Sequence, residues 1–458
     1  MINRGKNPVL AGFILLLFVP LACSAAGAAN ISVNASSARQ TMEAIGGNYC
    51  FDKSNTALGT HTLNNLKPRN VRVEMDLNQW EPVNDNGDPN NFFWSNFKDT
   101  GATHTNFVQM QDFMNRGIPI VAAIWDVPNW MVSNPAATRQ RVIPSSMYDE
   151  AVESIAAYLI YARDHYGVTI PLISFNEANG GYQTLFSPTE MRVFIKKSGA
   201  RFASLGLPTK WVVGDVSNPS AAVSYITPIL QDTSITQYLG PVSVHSWNAE
   251  SVSDATFSGI ATLAGQYGKN VWVLEVGLDP AGWEIDGYTS TWSYGFTLAR
   301  LYYRLIGNMR ATVLDYWEYG TDYELMDRST LAPYPAYYVV KQLSDLLLPG
   351  TQILETSSSS SSVLVLSGIH RTTGRFMVQM INTGTSAESA YLTGLPNTAL
   401  TMQRIGDGES MVIVGTYTPS GGALTVSLRA QSVTTLSGTD SAASQTKVPA
   451  PPSGLSIR

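Results

Sequence analysis

A chain of 458 residues, 44% hydrophobic and 10% aromatic, can bury a large core, which excludes a disordered or low-complexity protein. Its formal net charge of -6 leaves no basic footprint and argues against nucleic acid as a partner. Two cysteines, Cys23 and Cys50, build no disulfide framework, so the core must hold the fold by itself.

In chain order, Arg4 and Lys6 precede an apolar run from Val9 to Leu21 and the small residues "ACSAAGAAN". This pattern predicts a signal peptide over 1–28, cut after Ala28 at an A-x-A site, and hence a secreted or cell-surface protein. Lipidation at Cys23 is the alternative, although Leu21 and Ala22 make a poor lipobox. The apolar run is too short for an integral membrane span.

"ISVNAS" reads as a strand, within 29–40, that joins a sheet further along the chain. From 41 to 346, eight apolar segments alternate with amphipathic stretches: "MEAIGGN", "NVRVEM", "IPIVAAIW", "PLISFN", "KWVVGDV", "PVSVHSW", "NVWVLEV" and "ATVLDYW". Several are near-continuous apolar runs, as parallel strands buried on both faces require. Helical patterns separate them. One opens with Ser187, Pro188 and Glu190, a capping box with proline at the first helical position. Eight strands with intervening helices predict an α/β fold, a (β/α)8 TIM barrel. A doubly wound sheet competes, but no glycine-rich dinucleotide fingerprint follows the first strand.

Short alternating segments with turn residues fill 347–437 and predict a C-terminal antiparallel β-sandwich. The run Ser357 to Ser362 reads as a loop, and 438–458, polar and proline-rich, as a disordered tail.

In a barrel of this kind the reactive groups stand at the C-terminal ends of the strands. Those ends carry Arg72, Trp125 with Asp126, Asn176 with Glu177, Asp215, His245 with Trp247, Glu275, and Trp317 with Glu318. Glu177, after "PLISF", and Glu275, inside "VWVLEVG", stand out because their strands are so apolar. Two facing carboxyl groups are the equipment for glycosidic bond cleavage: one gives its proton to the leaving oxygen, the other stays ionised. Arg72 is the one cation in that set and would favour an ionised carboxylate. Asn176 is placed to meet a sugar 2-hydroxyl, and Trp125, Trp247 and Trp317 offer flat faces for sugar rings. Asp126, Asp215 and Glu318 carry the least signal. No G-x-S-x-G elbow, H-E-x-x-H or Walker A is present, so neither a metal nor another cofactor is expected.

Asn-Glu at the end of the fourth strand and Glu at the end of the seventh resemble the clan A retaining glycoside hydrolases. "QTMEAIGGN", "WDVPNWM" and the closing "LTVSLRAQSVTTLSG" resemble glycoside hydrolase family 30 within that clan, over roughly 31–437. Two positions differ from the family pattern: Ile45-Gly46-Gly47 replaces Gly-Phe-Gly, and Ala178 stands where proline is common. The resemblance implies Glu177 as acid/base, Glu275 as nucleophile, Arg72 and His245 as supports, and a carbohydrate substrate; a monomer is expected. A non-catalytic carbohydrate-binding barrel, or a clan A enzyme of the family 5 or 39 type, is the alternative.

Overall fold

The computed structural model describes residues 28–50, 53–279, 284–320 and 323–440. Residues 1–27 of the segment read as a signal peptide, with Cys23, and most of the 438–458 tail therefore lie outside the described residues.

Eight strands close a parallel barrel in chain order: β2 (Ala44–Asn48), β3 (Val71–Glu74), β4 (Ile120–Ile124), β5 (Leu172–Phe175), β6 (Lys210–Val216), β7 (Leu239–His245), β8 (Val271–Val276) and β9 (Ala311–Tyr316). They coincide with the eight apolar segments. All five residues of β4 are buried, which is why its sequence shows no alternation. Two helix ends carry caps that are legible in the sequence. Ser187 and Glu190 form the reciprocal capping box of the Pro188–Ser204 helix, an interaction of about 1 kcal/mol. Gly167 ends the Tyr148–Tyr166 helix in the left-handed conformation, at φ 67°.

Strand β1 (Ala29–Thr41) precedes the barrel but belongs to a different sheet. That sheet adds β10 (Gln352–Ser358), β11 (Val363–His370), β12 (Arg375–Asn382), β13 (Glu388–Thr393), β14 (Leu400–Gly406), β15 (Glu409–Tyr417), β16 (Leu424–Leu428) and β17 (Ser432–Thr439). Its nine strands run in the order β15-β14-β17-β12-β11-β10-β1-β13-β16, with β1 antiparallel to β10 and parallel to β13. Met402 of β14 and Leu428 of β16, from opposite ends of that order, share one core with Val33 and Val378, so the sheet curls over on itself. Its other face packs on the barrel's last helix, where Gln342 accepts hydrogen bonds from Gln379 (3.2 Å) and Thr435 (2.8 Å).

Two boundaries differ from the sequence expectation. Ser357 and Ser358 are not loop: they extend β10 and pair with Ser32 and Ile31. Extended serine pairs readily when a partner strand is present, which composition alone does not reveal. Strand β17 likewise runs past 437 to Thr439, held by Arg375 and Phe376. No described helix is long and apolar enough to cross a membrane.

Candidate active site

At the C-terminal ends of the barrel strands lies a cleft of about 960 Å³ whose lining includes Trp125, Asn176, Glu177, Trp247, Glu275 and Trp317. Arg72 and His245, both fully buried, lie behind that lining and bond to its Asn176, Glu177 and Glu275. All eight residues singled out from the sequence as site residues thus meet in one place.

Arg72 is the hub. One terminal nitrogen donates to Glu275 Oε1 at 2.6 Å and to Asn48 Oδ1 at 3.2 Å. The other donates to Asn176 Oδ1 at 2.7 Å and to Asp215 Oδ2 at 2.9 Å. Above its guanidinium, at 4.6 Å, lies the Trp125 ring, which is tilted against Trp317. Because Asn176 Oδ1 accepts from Arg72, its NH2 is the group left to meet a ligand.

His245 is the second bridge. Its Nδ1 lies 3.0 Å from Glu177 Oε1 and 3.1 Å from Glu275 Oε2, and its Nε2 lies 3.0 Å from Asp215 Oδ1. Burial would lower the His245 pKa, but Glu275 and Asp215 outweigh it and hold the ring well above the ordinary histidine range. The protonated ring then donates from both nitrogens. Burial would likewise raise Asp215; Arg72 and His245 reverse the sign and hold it below the usual carboxylate range. Ser174 and Ser243 add hydroxyl donors to Asp215 at 2.7 and 3.0 Å. Glu275 Oε2 also accepts from the Trp247 indole at 3.1 Å.

Local backbone chemistry aims these groups. In β6, Gly214 has φ 100° and the register slips between Gly214 and Val216, a bulge that turns Asp215 inward. A Cβ at Gly214 would meet Ile226 at 2.8 Å and the Ser243 carbonyl at 2.9 Å, so only glycine fits. Gly277 serves the other side: a Cβ there would meet the Trp247 ring at 2.7 Å and push the indole off Glu275. Glu177 itself leaves β5 with φ 47°, turning the chain out of the strand at the point where its side chain enters the cleft.

Glu177, His245 and Glu275 offer ligand atoms within 4.8 Å of one another, close enough to hold a metal ion. Protonation of His245 opposes that use, since Nδ1 then has no lone pair to give. Cys50, buried beside Asn48, is pushed up by burial and is no thiolate nucleophile.

Other strand-end groups go elsewhere. Asp126 pairs with Arg141 and accepts from the Val127 N–H, so it braces a loop instead of facing the cleft. Glu318 is buried and absent from the lining. The segment after β8 contributes Ile285, Asp286 and Gly287 to the lining, whereas 81–104 contributes none. Sequence reasoning missed Asn48, whose side chain donates to the Leu274 carbonyl at 2.8 Å and ties β2 to β8 under the site. It also missed Tyr182, stacked by Arg139 at 4.9 Å, and Tyr323, which donates to Asp279 at 3.0 Å. Asp215 was underweighted, although a glycine inside an apolar strand, as in "VVGDV", is the signal of a bulge.

No protein-family model matches the chain, and no curated protein matches it by sequence. Solved structures do. A family 30 endoxylanase from Clostridium papyrosolvens C71 superposes with a TM-score of 0.71 at 18% identity, over 90% of this chain and 100% of that one. A family 30 subfamily 8 xylanase from Clostridium acetobutylicum gives 0.73 at 19% identity, over 90% and 99%. An endo-β-1,6-glucanase gives 0.65 at 16% identity, over 90% and 93%. The fold is the one these glycoside hydrolases share. The resemblance to family 30 noted in the sequence therefore extends to both sheets and nearly the whole chain.

Proposed function

We propose that the chain is a family 30 type glycoside hydrolase that cleaves β-glycosidic bonds outside the cytoplasm, with retention of anomeric configuration. One observation carries this reading: carboxylate oxygens of Glu177 and Glu275 face each other within 4.8 Å, bridged by His245. Double displacement needs two carboxyl groups about 5–5.5 Å apart, whereas inversion leaves room for a water at roughly 6.5–9.5 Å.

Glu275 attacks the anomeric carbon, and Arg72, His245 and Trp247 aim its oxygens and disperse its charge. Glu177, on the more open side of the pair, protonates the leaving oxygen and then takes the proton of the incoming water. The Asn176 NH2 is placed for the 2-hydroxyl of the reacting sugar. Trp317 and the half-buried Trp247 supply apolar faces for the ring. The carbohydrate class of the neighbours, xylans and β-glucans, is where the substrate search starts.

The test is a panel of aryl β-xylosides, β-glucosides, β-fucosides and β-galactosides with xylan and β-glucans, the first-formed anomer being read by NMR. A β-anomeric first product is the expected result. An α-anomer removes the retaining mechanism, and binding without turnover on every substrate favours a non-catalytic barrel.

Trp247→Phe keeps an aromatic face but replaces the indole and so removes the N–H from Glu275. Losing a hydrogen bond to a charged group costs about 1.5–3 kcal/mol, so kcat is expected to fall roughly 10- to 100-fold with little change in melting temperature. Steady-state kinetics beside a thermal melt reads both.

A further inference from the structure

Away from the cleft, a second group of acids gathers where the 81–97 loop meets the first turns of the Tyr148–Tyr166 helix. Ligand oxygens of Asp85, Glu150 and Glu153 lie within 4.8 Å of one another. Glu150 and Glu153 share a helix face, three residues apart. Asp85 is brought to them by the loop: its Oδ2 accepts from the Phe93 N–H at 2.6 Å, and its own N–H donates to Glu81 Oε1 at 3.1 Å.

Glu81 and Glu153 are each only 1% exposed. Neither carboxylate oxygen of Glu153 meets a donor, and Glu81 Oε2, Asp85 Oδ1, Glu150 Oε2 and the amide oxygen of Asn84 are buried in the same condition. Lys197 pairs with Asp149, which shares the helix of Glu150 and Glu153. Among the described residues no Lys or Arg forms an ion pair with Glu81, Asp85, Glu150 or Glu153.

An unpaired carboxylate so deeply buried takes a proton or finds a cation. The three close carboxylates, with the unsatisfied oxygens of Glu81 and Asn84 carried by the adjoining loop, form a hard-cation ligand set. Calcium takes 6–8 oxygens at about 2.3–2.6 Å, so opposing ligands stand up to about 5 Å apart, which admits the spread of these three carboxylates. Magnesium, at about 2.0–2.1 Å, needs a tighter cage. We propose that Glu81, Asp85, Glu150 and Glu153, with the Asn84 amide oxygen, form a calcium site that ties the 81–97 loop to the helix following the third barrel strand. The competitor is the proton: without a cation, burial and then the neighbouring acids push the Glu153 carboxyl up to about 9.

The site is independent of the catalytic reading, and its test needs no substrate. The full chain is stripped with EDTA, dialysed, and titrated with calcium chloride alone. Equilibrium dialysis is expected to give one calcium per chain, and saturating calcium to raise Tm by roughly 3–6 °C, with a smaller shift from magnesium. Glu153→Gln and Asp85→Asn should each lose both binding and shift. Glu275→Gln should keep them, which separates this site from the acidic trio in the cleft. Should Glu153→Gln fail to fold, Asp85→Asn, at a half-buried position, decides. A wild-type chain that binds no calcium and melts at the same temperature with and without it overturns the proposal, as does binding retained in Asp85→Asn.

Discussion

A Glu275→Ala chain is expected to lose turnover by at least about 10⁴-fold, because no other group within reach of the anomeric carbon can form the covalent intermediate. Glu177→Ala should behave differently. Protonation matters least when the leaving group is already a good one, so on a dinitrophenyl glycoside the first step persists and the intermediate accumulates. Turnover is then limited by water lacking its base, a loss of about 10²–10⁴-fold. Azide needs no base, and added azide should restore the rate and give the β-glycosyl azide. The product's configuration assigns the two roles: a β-azide from Glu275→Ala and an α-azide from Glu177→Ala would exchange them. Wild-type rates in both variants would remove the site altogether.

Asp215→Asn is expected to be the most damaging substitution at a residue that does not face the cleft. Arg72 and His245, both fully buried, each bond one Asp215 oxygen, at 2.9 and 3.0 Å. Asparagine keeps the shape but removes the charge and turns an NH2 toward at least one of these donors. Breaking a buried pair from one side costs about 3–5 kcal/mol, and stability should fall by that order.

The pH dependence separates an electrostatic role from a packing one. Asp215 titrates below its unfolded value of about 3.9, so the stability it contributes is present above that pH and is lost as pH falls through the lowered value. His245 titrates above its unfolded value of about 6.5, so its contribution is complete below that pH and is lost as pH rises through the raised value. Wild-type melts should therefore hold a plateau from about pH 4 to about pH 6.5 and decline above it until the raised His245 value is passed. Removing the Asp215 charge takes away one of the forces that raise His245, so the alkaline limb of kcat/KM should move toward neutral pH and the fall in Tm, which still begins near about pH 6.5, should end at a lower pH. An unchanged alkaline limb in Asp215→Asn would reduce Asp215 to a packing role.

Much of this was legible before folding because it is written locally. A strand such as Ile120–Ile124, apolar at every position and buried on both faces, announces a parallel barrel strand from its own residues. A carboxylate directly after such a run, as at Glu177, is exceptional without any knowledge of its neighbours. Helix ends were equally local, Ser187 with Glu190 at one and Gly167 at another.

What remained hidden depends on pairs distant in the chain. Asn48 looks like any polar strand end until the barrel closes and sets it between Arg72 and the Leu274 carbonyl. Tyr182 and Tyr323 stand on loops, whose course periodicity does not encode. The serines of β10 become strand only because β1, more than three hundred residues earlier, supplies the hydrogen-bonding edge. By itself, then, the sequence determined the strand count and the identity of the two carboxylates, since both follow from short-range burial and strand-end chemistry. Only the tertiary structure decided that Arg72 meets Glu275 across 203 residues, and that Asp215 and His245 complete the charge network. Charge pairing inside a barrel is set by which strand ends the closed ring brings together, and no local pattern carries that information.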